Sequence, residues 1–162
     1  MKIEESTIVE TNDFKVIIYP ASRALTAKEV KEITEKLYDF LPSWNAHGKR
    51  LTSSFKIDHK QFIIITVDEE KVQASGCSMD SLNGVMREIE AEYQLGIFDR
   101  MKACYKENGE VKTMKLTDFR TAVRNGEISE EVEVFDFSKD TYVNYLSDFL
   151  LPFKRSWAGF IK

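Results

Sequence analysis

The run Phe62-Ile63-Ile64-Ile65-Thr66-Val67 leaves almost no face for water. Successive side chains on a strand point to opposite sides, so a strand apolar on both sides needs cover on both. Phe14-Lys15-Val16-Ile17-Ile18-Tyr19 has the same character and is closed by Pro20. Both strands therefore belong in the middle of a sheet. Leu51, Ser53, Phe55 and Ile57 instead alternate with Thr52, Ser54 and Lys56. Arg100-Met101-Lys102-Ala103-Cys104-Tyr105-Lys106 alternates as well. These two read as half-exposed or edge strands.

Two amphipathic helices separate the strands. Thr26-Ala27-Lys28-Glu29 has the capping-box pattern. The helix it opens puts Ala27, Val30, Ile33, Leu37 and Leu41 on one face, and Pro42 stops it. Leu82, Val85, Met86, Ile89 and Tyr93 repeat the helical spacing. Ser78, Asp80 and Ser81 are good N-cap types ahead of that face, and Gly96 is the expected terminator.

The resulting order is β-α-β-β-α-β. An α+β class follows, with a ferredoxin-like split β-α-β core in which strands one and three are central. Asp58-His59-Lys60-Gln61 reads as a hairpin turn, and Asn108-Gly109 as a second hairpin that extends the sheet. A short helix is expected from Thr117 or Asp118 to Asn125-Gly126, then a strand at Val132-Glu133-Val134-Phe135. Tyr142, Tyr145, Leu146 and Phe149 fall at helical spacing before Pro152. Residues 1–162 are read as one domain, with a core at about 14–116, a C-terminal extension at about 117–162 and a loose polar start at residues 1–12.

Net charge is −4. That argues against a general binder of nucleic acid or of anionic membranes, which needs a basic face. No run reaches the length of a membrane span, so no membrane insertion is expected. The first residues are acidic and lack the apolar stretch of a signal peptide. Two cysteines, Cys77 and Cys104, are too few for a disulfide framework or a cysteine-rich metal site. A cytoplasmic protein without metal or cofactor is the expectation.

Chemistry is best placed at Ala74-Ser75-Gly76-Cys77-Ser78-Met79-Asp80-Ser81. Cys77 falls just ahead of a helix N-terminus, where unpaired N–H groups favour a thiolate. Gly76 allows close backbone approach or a positive φ beside it. The split topology brings the Trp44-Asn45-Ala46-His47-Gly48-Lys49-Arg50 loop to the same end of the sheet. His47 would then be the base for a Cys77 nucleophile, with Asp80 as cap or orienter and Asp68 nearby. Trp44, Lys49, Ser75, Gly76 and Ser78 would line a site for a small polar or anionic ligand. The structural alternative is a packed, inert Cys77 and a solvent-exposed His47. No phosphate loop, G-x-G-x-x-G, H-E-x-x-H, C-x-x-C or G-x-S-x-G occurs.

The segments Tyr19-Pro20-Ala21-Ser22-Arg23, Trp44-Asn45-Ala46-His47-Gly48, Val67-Asp68-Glu69, Ser75-Gly76-Cys77-Ser78-Met79-Asp80 and Phe98-Asp99-Arg100 resemble a bacterial family of small proteins labelled "ABC transporter ATPase". The resemblance runs from about Tyr19 to Trp157. The label implies ATP hydrolysis, whereas the chain lacks the phosphate loop that chemistry requires. The resemblance therefore carries no catalytic residues and adds weight only to the two loops. Two functions remain: a ligand-binding protein with an activated thiol at Cys77 and His47, or a non-catalytic interaction module. The second would use edge strands or the aromatic tail to dock a partner or form a homodimer.

Overall fold

The computed structural model describes residues 14–70 and 72–162. The polar start read at residues 1–12 lies outside the described residues. The chain is α+β, with all strand pairs antiparallel. A first sheet has the order β1-β5-β4, from β1 (Phe14–Pro20), β4 (Thr52–Asp58) and β5 (Phe62–Asp68). A two-residue ladder joins β2 (Asn45–Ala46) to β3 (Lys49–Arg50). A second sheet has the order β7-β6-β8-β9, from β6 (Lys102–Glu107), β7 (Glu110–Lys115), β8 (Glu133–Phe135) and β9 (Leu150–Pro152). The helices are α1 (Ala27–Phe40), α2 (Gly76–Tyr93), α3 (Leu116–Arg124) and α4 (Tyr142–Asp148).

The two-faced apolar strands explain the layering. From β5, Ile63, Ile65 and Val67 join Tyr19 of β1 in a cluster with Ile33 and Leu37 of α1 and Leu82, Met86 and Ile89 of α2. On the opposite face, Phe62 and Ile64 join Val16 and Ile18 against Cys104, Phe135, Tyr145 and Phe149. The first sheet thus carries α1 and α2 on one side and residues of the second sheet and α4 on the other. A third cluster lies beyond β6, where Ala103, Tyr105 and Val134 meet Phe119, Phe153 and Ala158.

This arrangement corrects the expected strand positions. β5 is central and β4 is an edge, as the patterns indicate. β6 is not an edge. It pairs with β7 on one side and β8 on the other, and Lys102, Ala103, Cys104 and Tyr105 are all buried. Its polar residues Lys102 and Cys104 find polar partners inside, which pattern reading mistakes for solvent. Among the described residues β1 pairs with β5 alone along its length, and its other edge receives only residues 140–141, through Val16 N–H to the Asp140 carbonyl at 2.8 Å. Beyond Pro152 the chain makes two short 3-10 turns, and the segment just before them, β9, pairs with β8.

Helix α1 starts as its sequence demands. Thr26 caps it and Glu29 completes the capping box, with the Glu29 N–H to Thr26 Oγ1 distance at 3.1 Å and the return bond at 2.9 Å. Arg23 adds two parallel bonds of 2.8 Å to the same carboxylate and a third, 2.9 Å, to the Tyr93 carbonyl at the end of α2. The Arg23 guanidinium is the main reason the Glu29 carboxyl is held down at about 2, against an ordinary 4.5. A carboxyl lowered by folding stabilises the fold above its unfolded value and loses that contribution as pH falls through the folded one. Stability is therefore expected to decline between about pH 4.5 and 2 through this group. Glu29→Gln should flatten that part of the acid limb in urea melts taken across pH. An unchanged limb would mean Arg23 and Glu29 are not coupled to folding.

Candidate functional site

The two loops singled out in the sequence do meet. The Trp44 indole N–H donates to the Ser78 carbonyl at 2.7 Å. Trp44 is 2 % exposed and Ser78 1 %. Ser78 is the N3 residue of α2, whose N-cap is Ser75. The Ser78 N–H donates to Ser75 Oγ at 3.1 Å, and the Ser75 N–H to Ser78 Oγ at 2.6 Å. A serine pair thus replaces the usual Ser–Glu capping box. The helix therefore begins earlier than Ser78, Asp80 or Ser81 would put it, and Cys77 lies within its first turn rather than ahead of it.

The remaining candidate residues separate into two groups. Trp44 and Ser78 are buried and bonded to each other, so they act as a tie between loops. Cys77, His47, Asp80 and Lys49 are exposed. His47 and Gly48 form the turn of the β2–β3 ladder with φ of 52° and 77°. No hydrogen bond or ion pair joins Cys77 to His47 or to Asp80 among the described residues; a side-chain bond runs from Ser81 Oγ to the Cys77 backbone carbonyl at 3.1 Å. Ser75 is half-buried with both its polar groups used in the cap. Gly76 lies in the helix with open space where a side chain would sit, so it supports no close approach and no positive φ. Asp68 pairs through its backbone with β1 and β4 and turns its carboxylate to the Glu70 N–H at 3.0 Å.

A cleft opens beside this loop pair, along the edge strand β4. Tyr38, Leu41 and Pro42 form one wall, and Arg50, Thr52, Ser53, Ser54 and Phe55 the other. Its volume is about 380 Å³. The Tyr38 ring stacks edge-on against Phe55, with centroids 5.2 Å apart. Ser53 Oγ is the one buried side-chain polar atom without a hydrogen-bond partner among the described residues. Arg50 is exposed with no side-chain partner among them. Mostly apolar walls with a few convergent polar groups are the ordinary make-up of a small-ligand site. The sequence signal for it was Arg50 beside three successive hydroxyl residues, 52–54, on a strand whose pattern already marked it as an edge.

A polar network that pattern reading passes over sits at the end of β1. Lys102 is 4 % exposed, yet its ammonium donates to the Pro20 carbonyl at 2.5 Å, to Ser22 Oγ at 2.8 Å and to the Gly96 carbonyl at 2.8 Å. Burial lowers its pKa. The Glu90 carboxylate accepts the N–H groups of Leu95, Gly96 and Ile97 at 2.8–3.1 Å and so fixes the loop that offers the Gly96 carbonyl. Gly96 has φ +75°, and a side chain there would fall 2.5 Å from Ser22 Oγ. Arg100 donates to the Ile18 carbonyl at 2.7 Å, and the Tyr19 ring meets Phe98 edge-on at 5.9 Å. The segments around residues 19–23 and 98–100 are therefore one packed structural unit.

No protein-family model matches the chain, and no curated protein or solved structure is significantly similar to it. No helix among the described residues is long and apolar enough to cross a membrane.

Proposed function

We propose that this chain is a binding protein for a small anionic ligand, held in the cleft between the end of α1 and the edge of β4. The observation that carries the reading is Ser53 Oγ: a buried hydroxyl without a partner among the described residues, in a cleft whose lining among them has Arg50 as its one cation. A buried polar group left unpaired costs about 1–3 kcal/mol, so a site with such a group is short of one acceptor or donor. An oxyanion would take the Ser53 hydroxyl proton as a hydrogen bond and the Arg50 guanidinium as a charge-assisted one, while Tyr38, Leu41 and Phe55 cover its apolar part. The exposed, unaccompanied state of Cys77 and His47 lends no support to thiol chemistry, so binding rather than turnover is the reading.

The probe is inorganic phosphate at constant ionic strength. The melting temperature should rise with phosphate, because a ligand that binds only the folded state stabilises it. Arg50→Gln and Ser53→Ala should each remove the rise while leaving the unliganded melt close to the parent. An equal rise in the parent and in both variants would assign the effect to bulk salt and end the proposal for this cleft. A rise that persists in Arg50→Gln but is lost on adding a peptide that pairs with β4 would favour the docking of an extended partner strand.

A further inference from the structure

A second pocket, remote in sequence from the first, lies between β6, α3 and the segment after β8. Its lining includes Arg100, Lys102, Arg120, Phe135, Phe137 and Trp157, around a volume of about 270 Å³. A neighbouring hollow of about 400 Å³ shares Arg120 and Trp157 with it and adds Arg124 and Phe160. We propose that these two hollows form one binding site for a phosphorylated or carboxylated ligand that carries a flat aromatic ring.

Three observations converge. The first is charge. Arg120 is exposed on α3 and makes no hydrogen bond or ion pair among the described residues. Lys102 supplies a buried positive charge whose bonds all go to uncharged oxygens. Arg100 donates to the Ile18 carbonyl and, at 3.3 Å, to the Phe137 carbonyl, which aligns its guanidinium along the wall. The one acid of the lining, Asp136, is already engaged by the Ser138 N–H and hydroxyl and by Lys139 at 3.3 Å. The local field is therefore positive on a protein whose net charge is −4.

The second observation is the ring platform. Trp157 is held in place by its N–H bond to the Phe135 carbonyl at 3.0 Å and by Phe119 behind it, with centroids 5.5 Å apart. A fixed, half-exposed indole offers a stacking face with little ordering left to do. The third is exposed apolar area at the rim: Phe160 is 84 % exposed. Arg124 is tied to the Lys162 carbonyl at 2.7 Å, so the rim has a defined shape. A ring on Trp157 with its anionic group against Arg120 uses all three features, whereas a bare ion uses the first alone and a bare ring only the other two.

The test follows Trp157 fluorescence and, in parallel, the heat of titration, with AMP and phenyl phosphate as probes and adenosine and inorganic phosphate as half-probes. Trp157→Phe, which keeps a ring against Phe119, assigns the optical signal. Both full probes are expected to bind saturably and at least about tenfold more tightly than either half-probe. Arg120→Gln, a change on an exposed helix face, should weaken them about tenfold or more, whereas Lys31→Gln on the solvent face of α1 should not. The proposal fails if neither full probe gives saturable heat to about 1 mM. It fails equally if Arg120→Gln binds like Lys31→Gln, or if adenosine alone matches AMP.

Discussion

Lys102→Met is expected to destabilise the fold by about 2–4 kcal/mol, read as a lower urea midpoint with an unchanged slope. The ammonium makes three bonds to oxygens of two separated segments, at 2.5–2.8 Å. Charge-assisted bonds contribute about 1.5–3 kcal/mol each, and leaving a buried charge in place costs several kcal/mol in the opposite direction. Methionine keeps most of the stem's volume and removes the desolvation cost, but it leaves the Pro20 and Gly96 carbonyls and the Ser22 hydroxyl without their donor. The lost bonds win because the bond to the Pro20 carbonyl is buried and those to Ser22 and Gly96 are part-buried, so water replaces them poorly. A midpoint unchanged within about 0.5 kcal/mol would show that the desolvation cost cancels the network. Because burial lowers the Lys102 pKa, the same group also favours folding more as pH rises toward the ordinary lysine value, so the Met variant should lose that alkaline gain.

Trp44→Ala should cost about 3–5 kcal/mol, the range for removing a fully buried large aromatic. Trp44 is 2 % exposed and packs with Phe40, ring centroids 6.0 Å apart, between the end of α1 and the start of α2. Trp44→Phe separates the two contributions. It retains a ring but removes the donor to the Ser78 carbonyl, and should lose only about 1 kcal/mol. Hydrogen exchange in the first turn of α2 should rise in Trp44→Phe, since the tie between the loops is gone. Protection unchanged in that turn would mean the Ser75–Ser78 cap holds it alone.

How much of this was legible depended on which signal each segment carried. The apolar runs at 14–19 and 62–67 declared two-sided burial, and both strands are covered on both faces. Thr26 and Glu29 declared a helix start, because a capping box is local chemistry. Asn108-Gly109 declared its hairpin for the same reason, with φ of 53° and 81°. The meeting of the 44–50 and 75–78 segments was legible from element order, and the Trp44–Ser78 bond realises it. What failed was the assumption that a polar residue in a strand faces water. Lys102 is inside because Pro20, Ser22 and Gly96 receive it, and those partners are 82, 80 and 6 residues away. No window of sequence holds that information. The same blindness hid β9, three residues whose strand state comes from pairing with β8 rather than from propensity. The activated thiol was a statement about side-chain geometry, which loop proximity alone does not determine.

The second core has a temporal consequence. Phe62 and Ile64 are covered by Phe135, Tyr145 and Phe149, which come far later in the chain. A ribosome adds about 5–20 residues per second, so the back of the first sheet waits roughly 4–16 s after its last strand is made before its cover exists. During that interval a nascent chain presents Val16, Ile18, Phe62 and Ile64 as one sticky surface. Synthesis of this protein therefore passes through a stage that invites chaperone capture, and any stalling before residue 149 would leave an aggregation-prone half-molecule.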